Sequence, residues 1–294
     1  MIEFFNVRKN FGKKVVFENL HWKIERGSVV GLVGPNGSGK STLLRMISGI
    51  LDADHGNIRI NDHEIFENIA VKKEIVFVSD DPFFFSQSTI KDMKQFYQVF
   101  YERFDEQLYY KLLEVFQLDE TVKINNFSKG MKRQVSIVLA FSTNAKIILF
   151  DEAFDGLDPL MRFKLRQMIA DYIEDKDVII IISSHNLREL EDICDTVAMI
   201  DDKSVKFSRS FEEYHILYHR FRVAFDHEVD PSIFAQLSPL HVSGKSQIFS
   251  IIVMGDLEEL KQQIQRLNPI INEHSQISLE ELYLLQVGGL DREN

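Results

Sequence analysis

Short apolar runs rich in β-branched residues recur along the first part of the chain, at Val29–Val33, 58–60, Ile75–Val78, 147–150, 178–182 and 197–200. The runs at 147–150 and 178–182 show no alternation with polar residues, the pattern of parallel strands buried on both faces. Between Ser88 and Ala145 the texture changes. Phe96, Phe100 and Phe104, then Leu108, Leu112 and Val115, recur at helical spacing through a charged background. That stretch, 88–145, predicts a helical insertion in an α/β core, with its aromatic stripe used for packing. The pattern starts again after Ser210. Residues 222–225 predict a strand and 241–253 a hairpin around Gly244, while Leu257, Leu260, Ile264 and Leu267 mark one helical face. Ser278 followed by Glu281 predicts a capping box opening a final helix, with Leu279, Leu282 and Leu285 apolar. The chain therefore divides into a domain at 1–210 and a small α+β module at 211–294.

Residues 34–42 read GPNGSGKST and lie between the apolar run Val29–Val33 and an apolar-periodic segment at 43–51. A Gly-rich loop between a strand and a helix is the context in which this spacing cradles phosphate. Gly34, Gly37 and Gly39 let the backbone turn tightly and present its N–H groups, with Pro35, Asn36, Ser38 and Thr42 completing the loop. Lys40 supplies a positive charge for β- and γ-phosphates, and the Ser41 hydroxyl is placed to ligate Mg²⁺. The helix that follows points its positive end at the same anion. Chance would supply roughly 0.01 such matches in a chain this long, so the loop predicts binding of a nucleoside triphosphate. The run at 147–150 ends in two acids, Asp151 and Glu152. At the carboxyl end of a parallel strand beside a phosphate loop, Asp151 is suited to hold Mg²⁺ and Glu152 to deprotonate an attacking water.

The formal net charge of -11 argues against nucleic acid and anionic lipid as partners, since an acidic surface repels both. The lone Cys194 cannot form an intramolecular disulfide, which points to a reducing, cytoplasmic setting, and a small buried residue is its simplest role. The N-terminus lacks the layout of a secretory signal, and no segment approaches the length of a membrane span. Work at a membrane would need a second chain to cross it.

Two further pieces complete a pattern. Phe127-Ser128-Lys129-Gly130-Met131 precedes the amphipathic segment 132–141, and Asp155-Gly156-Leu157-Asp158-Pro159 follows the acidic pair. Ile182-Ser183-Ser184-His185 ends the next strand. Phosphate loop, Ser-x-Gly before a helix, Asp-Glu strand, Gly-Leu-Asp and strand-end His, in this order, resemble the ATPase subunits of ABC transporters over residues 1–210.

The resemblance implies a P-loop NTPase core of the ABC type with antiparallel β and helical subdomains. It also implies ATP and Mg²⁺ as cofactors, and a head-to-tail dimer with two ATP molecules between subunits. Ser128 and the Gly130 amide would contact the γ-phosphate across that interface. His185 would contact it in its own subunit, Asp158 would couple the two sites, and Phe11 would stack on adenine. The partners implied are a multi-span permease and a second ATPase, identical or related, with the chain peripheral on the inner face of the membrane.

The sequence departs from the family pattern in three places. Lys129 and Met131 replace Gly and Gln of the signature, Ala153-Phe154 stands where a Pro-containing pair is common, and Asp80 occupies the place of a glutamine that touches Mg²⁺ and the attacking water. Aspartate still accepts a hydrogen bond from a metal-bound water, but it is shorter and charged. The signature and the tail look like bacterial exporters of antibiotics and peptides. The importer and the soluble, non-transporting ABC ATPase stay open as alternatives. In the family a groove after the glutamine position receives a cytoplasmic helix of the permease, and Phe83 to Phe85 supply either that groove or the core. In the module, His215 and His219 share a metal-binding spacing on a helix, though without an acidic partner.

Overall fold

The computed structural model describes residues 1–154, 159–174 and 177–287, in two compact units, Met1–Ser208 and Arg209–Asn294. In the first unit a four-stranded antiparallel sheet has the order β2 (Lys14–Ile24), β1 (Ile2–Phe11), β4 (His55–Ile60), β5 (His63–Glu64). The alternation along β1 is broken by register shifts after Phe4, Val7 and Lys9, which hides its period in the sequence. A six-stranded sheet runs β10 (Ser204–Ser210), β9 (Thr196–Asp201), β3 (Val29–Val33), β8 (Ile179–Ser183), β7 (Ile147–Asp151), β6 (Ile75–Val78). The strands from β9 to β6 pair in parallel. Every residue of β3, β7 and β8 is buried, as their unbroken apolar composition requires.

Register decides where the chemistry falls. Leu32 of β3 and Asp151 of β7 both pair with Ser183 of β8, so the three strands end abreast at their carboxyl edge. Ligand sites of open parallel sheets sit beyond that edge. Helix α1 (Lys40–Ile47) starts there and ends sooner than the apolar pattern to Leu51 predicts. Gly49, at φ 69°, turns the chain out of the helix.

After the short helix α2 (Ile69–Lys72), the 88–145 insertion holds α3 (Ile90–Phe100), α4 (Glu106–Phe116) and α5 (Lys129–Ser142). Each begins at a side chain that accepts a backbone N–H: Thr89 in a capping box with Asp92, Asp105 and Ser128. Helix α5 begins at Lys129, so Lys129 and Gly130 lie in its first turn, with Ser128 as the cap. Helices α6 (Pro159–Ile173) and α7 (Leu187–Ile193) follow β7 and β8. Buried Cys194 ends α7, and its Sγ stands 3.2 Å from where a Cβ on Gly31 would lie, so it packs against β3; burial pushes its thiol pKa well up.

The aromatic stripe of α3 is not the packing element that its period predicts. Phe96 and Phe100 are 40% and 51% exposed. Phe83, Phe85, Phe96 and Phe100 form a chain of edge-on rings, with successive centroids 5.6, 4.9 and 5.0 Å apart. Together with Ile69 and Val76 they line a groove of about 630 Å³. Phe84 is half-buried and lies outside the groove's lining, and Phe104 packs on Tyr109.

The second unit contains α8 (Phe211–Leu217), β11 (Tyr218–Ala224), β12 (His241–Lys245), β13 (Ile248–Met254), α9 (Leu257–Arg266), β14 (Ile271–Gln276) and α10 (Leu279–Gln286). Its sheet has the order β12-β13-β11-β14 and its own core of Phe221, Val223, Phe249, Ile251, Leu260 and Ile264. The hairpin turns at Ser246 and Gln247 rather than around Gly244, which lies within β12. Gly244 is required there for another reason, since a Cβ would stand 2.2 Å from the Ile248 carbonyl oxygen. The Ser278–Glu281 capping box is present. Helix α8 stops at Leu217, so His215 and His219 do not share a helix face. Buried His219 instead directs Nε2 to the Gly255 carbonyl and Nδ1 to Nε2 of His274, both at 3.2 Å.

Candidate functional site

The loop between β3 and α1 is held by close packing. A Cβ on Gly39, at φ 112°, would stand 2.7 Å from Val16 Cγ1 and 2.8 Å from Phe17 Cζ. A Cβ on Gly34 would stand 2.5 Å from the Ile200 carbonyl oxygen. Glycine is therefore needed at both places for steric reasons, quite apart from any ligand. Inside the loop Ser38 N donates to the Pro35 carbonyl at 3.1 Å. The Lys40 ammonium, 6% exposed, donates to the Gly34 carbonyl at 2.8 Å and reaches the Pro35 carbonyl at 3.4 Å.

A cavity of about 230 Å³ opens over this loop, lined by Phe11, Lys14, Val16, Asn36, Gly37, Gly39, Lys40, Ser41, Thr42 and Glu152. Gly34, Pro35 and Ser38 of the loop do not line it. Phe11 is 49% exposed at one side of the cavity, with the Lys9 ammonium 5.6 Å from its ring centroid. An exposed aromatic beside a phosphate loop has a face free for a planar base.

Asp151 is 3% exposed, and its Oδ1 accepts from the hydroxyls of Ser41 at 3.1 Å and Ser183 at 2.7 Å. No described cation lies within ion-pair distance of it. A buried carboxylate held by two hydroxyls is suited to a divalent cation, because buried charge is normally paired or metal-bound. Among the described residues no cluster of three or more His, Cys, Asp and Glu surrounds it. Mg²⁺ takes one or two protein oxygens and draws the rest from phosphate and water, and the Ser41 hydroxyl beside the Asp151 carboxylate is a donor set of that kind.

Glu152 follows with φ 51°, a left-handed conformation uncommon outside glycine. Two hydrogen bonds from its amide hold it there, to the Ser183 carbonyl at 3.0 Å and the Ser183 hydroxyl at 3.1 Å. The turn takes Glu152 off the strand and into the cavity lining. Backbone strain of this kind is retained where neighbouring structure over-determines it, often at functional positions.

Other predicted positions lie apart. Asp80 is exposed two residues beyond β6, and His185 is exposed two residues beyond β8; neither lines the cavity. Ser128 caps α5, accepting from Met131 N at 3.2 Å, and is exposed with Lys129, while Gly130 is half-buried. None of Ser128, Lys129 and Gly130 lines the cavity. Asp158 lies outside the described residues.

Sequence reasoning missed three contributors. Lys14 and Val16 line the cavity from β2, where their alternation is local and the cavity is formed by the fold. Ser183 grips both acids, and only the register of β7 on β8 reveals it.

The ABC transporter family model matches residues 17–155. The ABC transporter ATP-binding protein YtrB of Bacillus subtilis is 30% identical over 99% of this chain and 100% of its own length. The lantibiotic transport ATP-binding protein SrtF of Streptococcus pyogenes is 27% identical over 72% of this chain and 92% of its own. The methionine import ATP-binding protein MetN of Clostridium tetani is 30% identical over 70% of this chain and 68% of its own. Among solved structures, an ATP-binding subunit of an ABC transporter superposes with a TM-score of 0.67 at 26% identity, covering 73% of this chain and 92% of that one.

Proposed function

Since the chain belongs to the ATP-binding, ATP-hydrolysing subunits of ABC transporters, we propose that it drives export of a peptide or lipophilic drug through a separate multi-span permease. The observation that carries the motor role is the convergence of Lys40, Ser41 and Glu152 on one cavity, with buried Asp151 bonded to Ser41 at 3.1 Å.

Each group then has a task. The loop N–H groups and Lys40 take the phosphates, Lys40 exchanging the carbonyls of Gly34 and Pro35 for β- and γ-oxygens. Phe11 stacks on the adenine, and Lys14 adds a cation at the loop's rim. Ser41 and Asp151 would hold Mg²⁺, with Asp80 reaching it through water, and the ion would neutralise charge on the β- and γ-phosphates. Glu152 takes the proton of the attacking water, while His185 donates to the γ-phosphate. The exposed start of α5, with Ser128 and Gly130, closes over the γ-phosphate of a second copy or a related subunit, with Asp158 between the two sites. Closure of that pair pulls on the permease, whose cytoplasmic helix enters the aromatic groove of Phe83, Phe85, Phe96 and Phe100. No helix among the described residues is long and apolar enough to cross a membrane.

Similarity to SrtF supports export, and similarity to MetN supports import. Inside-out vesicles holding the chain and its permease distinguish them: export predicts ATP-driven uptake of a labelled peptide into such vesicles, and import predicts none. For the motor itself, Glu152→Gln keeps ATP binding but loses turnover by about 10²–10⁴-fold, because an amide holds the water without accepting its proton. The stalled protein should run as an ATP-dependent dimer in size exclusion. Turnover near the wild-type rate removes Glu152 from the base role.

A further inference from the structure

Asp80 brings a negative charge to a place where the family pattern has a neutral glutamine. Its loop is partly self-held: Asp80 Oδ1 accepts from Asp81 N at 2.9 Å, and the Ser79 hydroxyl donates to the Asp81 carbonyl at 2.9 Å. The remaining hold comes from α5. Arg133, 8% exposed, donates from Nη2 to the Asp80 carbonyl at 3.4 Å. Its Nε is buried with no hydrogen-bond partner.

One long hydrogen bond is a small return for burying a guanidinium, since buried charge is costly unless it is paired. The loop it meets carries two adjacent carboxylates, Asp80 and Asp81, and no described cation lies within ion-pair distance of either. Among the described residues, Arg133 is a cation that the fold brings to this loop, and it meets the main chain of Asp80 rather than a carboxylate. It also lies one helical turn beyond Lys129, on the helix that Ser128 caps.

We propose that Arg133 is the positioning residue for Asp80, anchoring its main chain and offsetting the charge that aspartate has introduced. The proposal rests on Asp80 belonging to the nucleotide site. Two consequences follow. With the arginine present the Asp80 loop is fixed to the start of α5, so the loop at the end of β6 and the surface offered to a second subunit move together. Without it the carboxylate is left uncompensated beside a site built for a polyanion, and its main chain is free to turn.

The test is a double-mutant cycle on the full chain, with wild type, Arg133→Gln, Asp80→Gln and the combination, plus Arg133→Lys. Arg133→Gln should lower kcat about 10-fold with KM for ATP within about 2-fold. In the Asp80→Gln background the same substitution should change kcat by less than about 2-fold, a non-additivity that neighbours in one network show. Arg133→Lys should recover at least about a third of wild-type kcat, because the charge is kept. Nucleotide-free melting temperatures give a second readout: the loss from Arg133→Gln should be smaller when residue 80 is glutamine. Equal losses of kcat and of melting temperature in both backgrounds overturn the proposal and make Arg133 a support of α5 alone. If Arg133→Gln does not fold, Arg133→Lys is compared in both backgrounds, and failure in both is the same negative result. A wild type that hydrolyses ATP while the cycle is additive refutes only the role of Arg133; a wild type without ATP turnover refutes the nucleotide site on which it rests.

Discussion

The Lys40 ammonium spends its charge on the carbonyls of Gly34 and Pro35, oxygens of the loop that cradles the ligand. A phosphate offers stronger, charge-assisted partners in their place. Hydrogen bonds to charged groups contribute about 1.5–3 kcal/mol each, so Lys40→Ala should weaken ATP binding by about 10-fold or more. Calorimetry separates this from Glu152→Gln, in which affinity is kept and turnover is lost. Unchanged affinity in Lys40→Ala would contradict the phosphate-loop assignment. Residue types and their order make this part of the site readable, because a Gly-rich turn, a lysine and a hydroxyl are dictated by phosphate itself. Ser183 is different. Its hydroxyl holds Asp151 and its carbonyl holds Glu152 only because β7 and β8 pair in one particular register, and nothing adjacent in the chain announces that. Asp80 and His185 are placed by strand ends outside the cavity lining, where local sequence says little about distance to a ligand.

At the scale of elements, unbroken apolar runs disclose the buried strands β3, β7 and β8, and a capping box discloses α10, since each signal is local. Strand β14 carries the sequence INEHSQ, almost wholly exposed at a sheet edge, and has no apolar period to detect. Helix α3 shows the opposite difficulty. Its phenylalanine spacing shows that the rings share a face but not whether anything covers it, and the structure leaves Phe96 and Phe100 open. Large exposed apolar patches mark interaction sites. Replacing Phe85 or Phe96 with Ser should therefore reduce co-purification with the permease while the isolated subunit's melting temperature holds within about 2 °C, since solvent-facing substitutions usually cost under about 0.5 kcal/mol. Loss of folding in each variant would return the rings to the core and remove the groove's role.

The chain divides into two compact units, and the sequence of the second holds no further phosphate loop. We infer that the unit after Ser208 keeps two copies near one another when ATP leaves, raising the effective concentration for reclosure. Truncation after Ser208 should leave nucleotide affinity intact but raise the protein concentration needed for half-maximal ATPase activity. An identical concentration dependence in the truncated and full-length chains would end that role. This unit also has an acid limit. With Nε2–H of His219 given to Gly255, its Nδ1 is an acceptor, so Nε2 of His274 carries a hydrogen, and a further proton on His274 sets a cation against the buried His219 ring. Burial, then the charge of His219 and of Lys261, holds the His274 pKa below the ordinary value of 6.5. In the unfolded chain His274 takes up its proton near 6.5, earlier than the folded unit allows, so stability present above that pH is lost as the pH falls through it. Melting temperatures between about pH 7.5 and 5.5 should decline, and His274→Asn should flatten the slope, by removing a group that binds its proton more readily in the unfolded chain than in the folded unit.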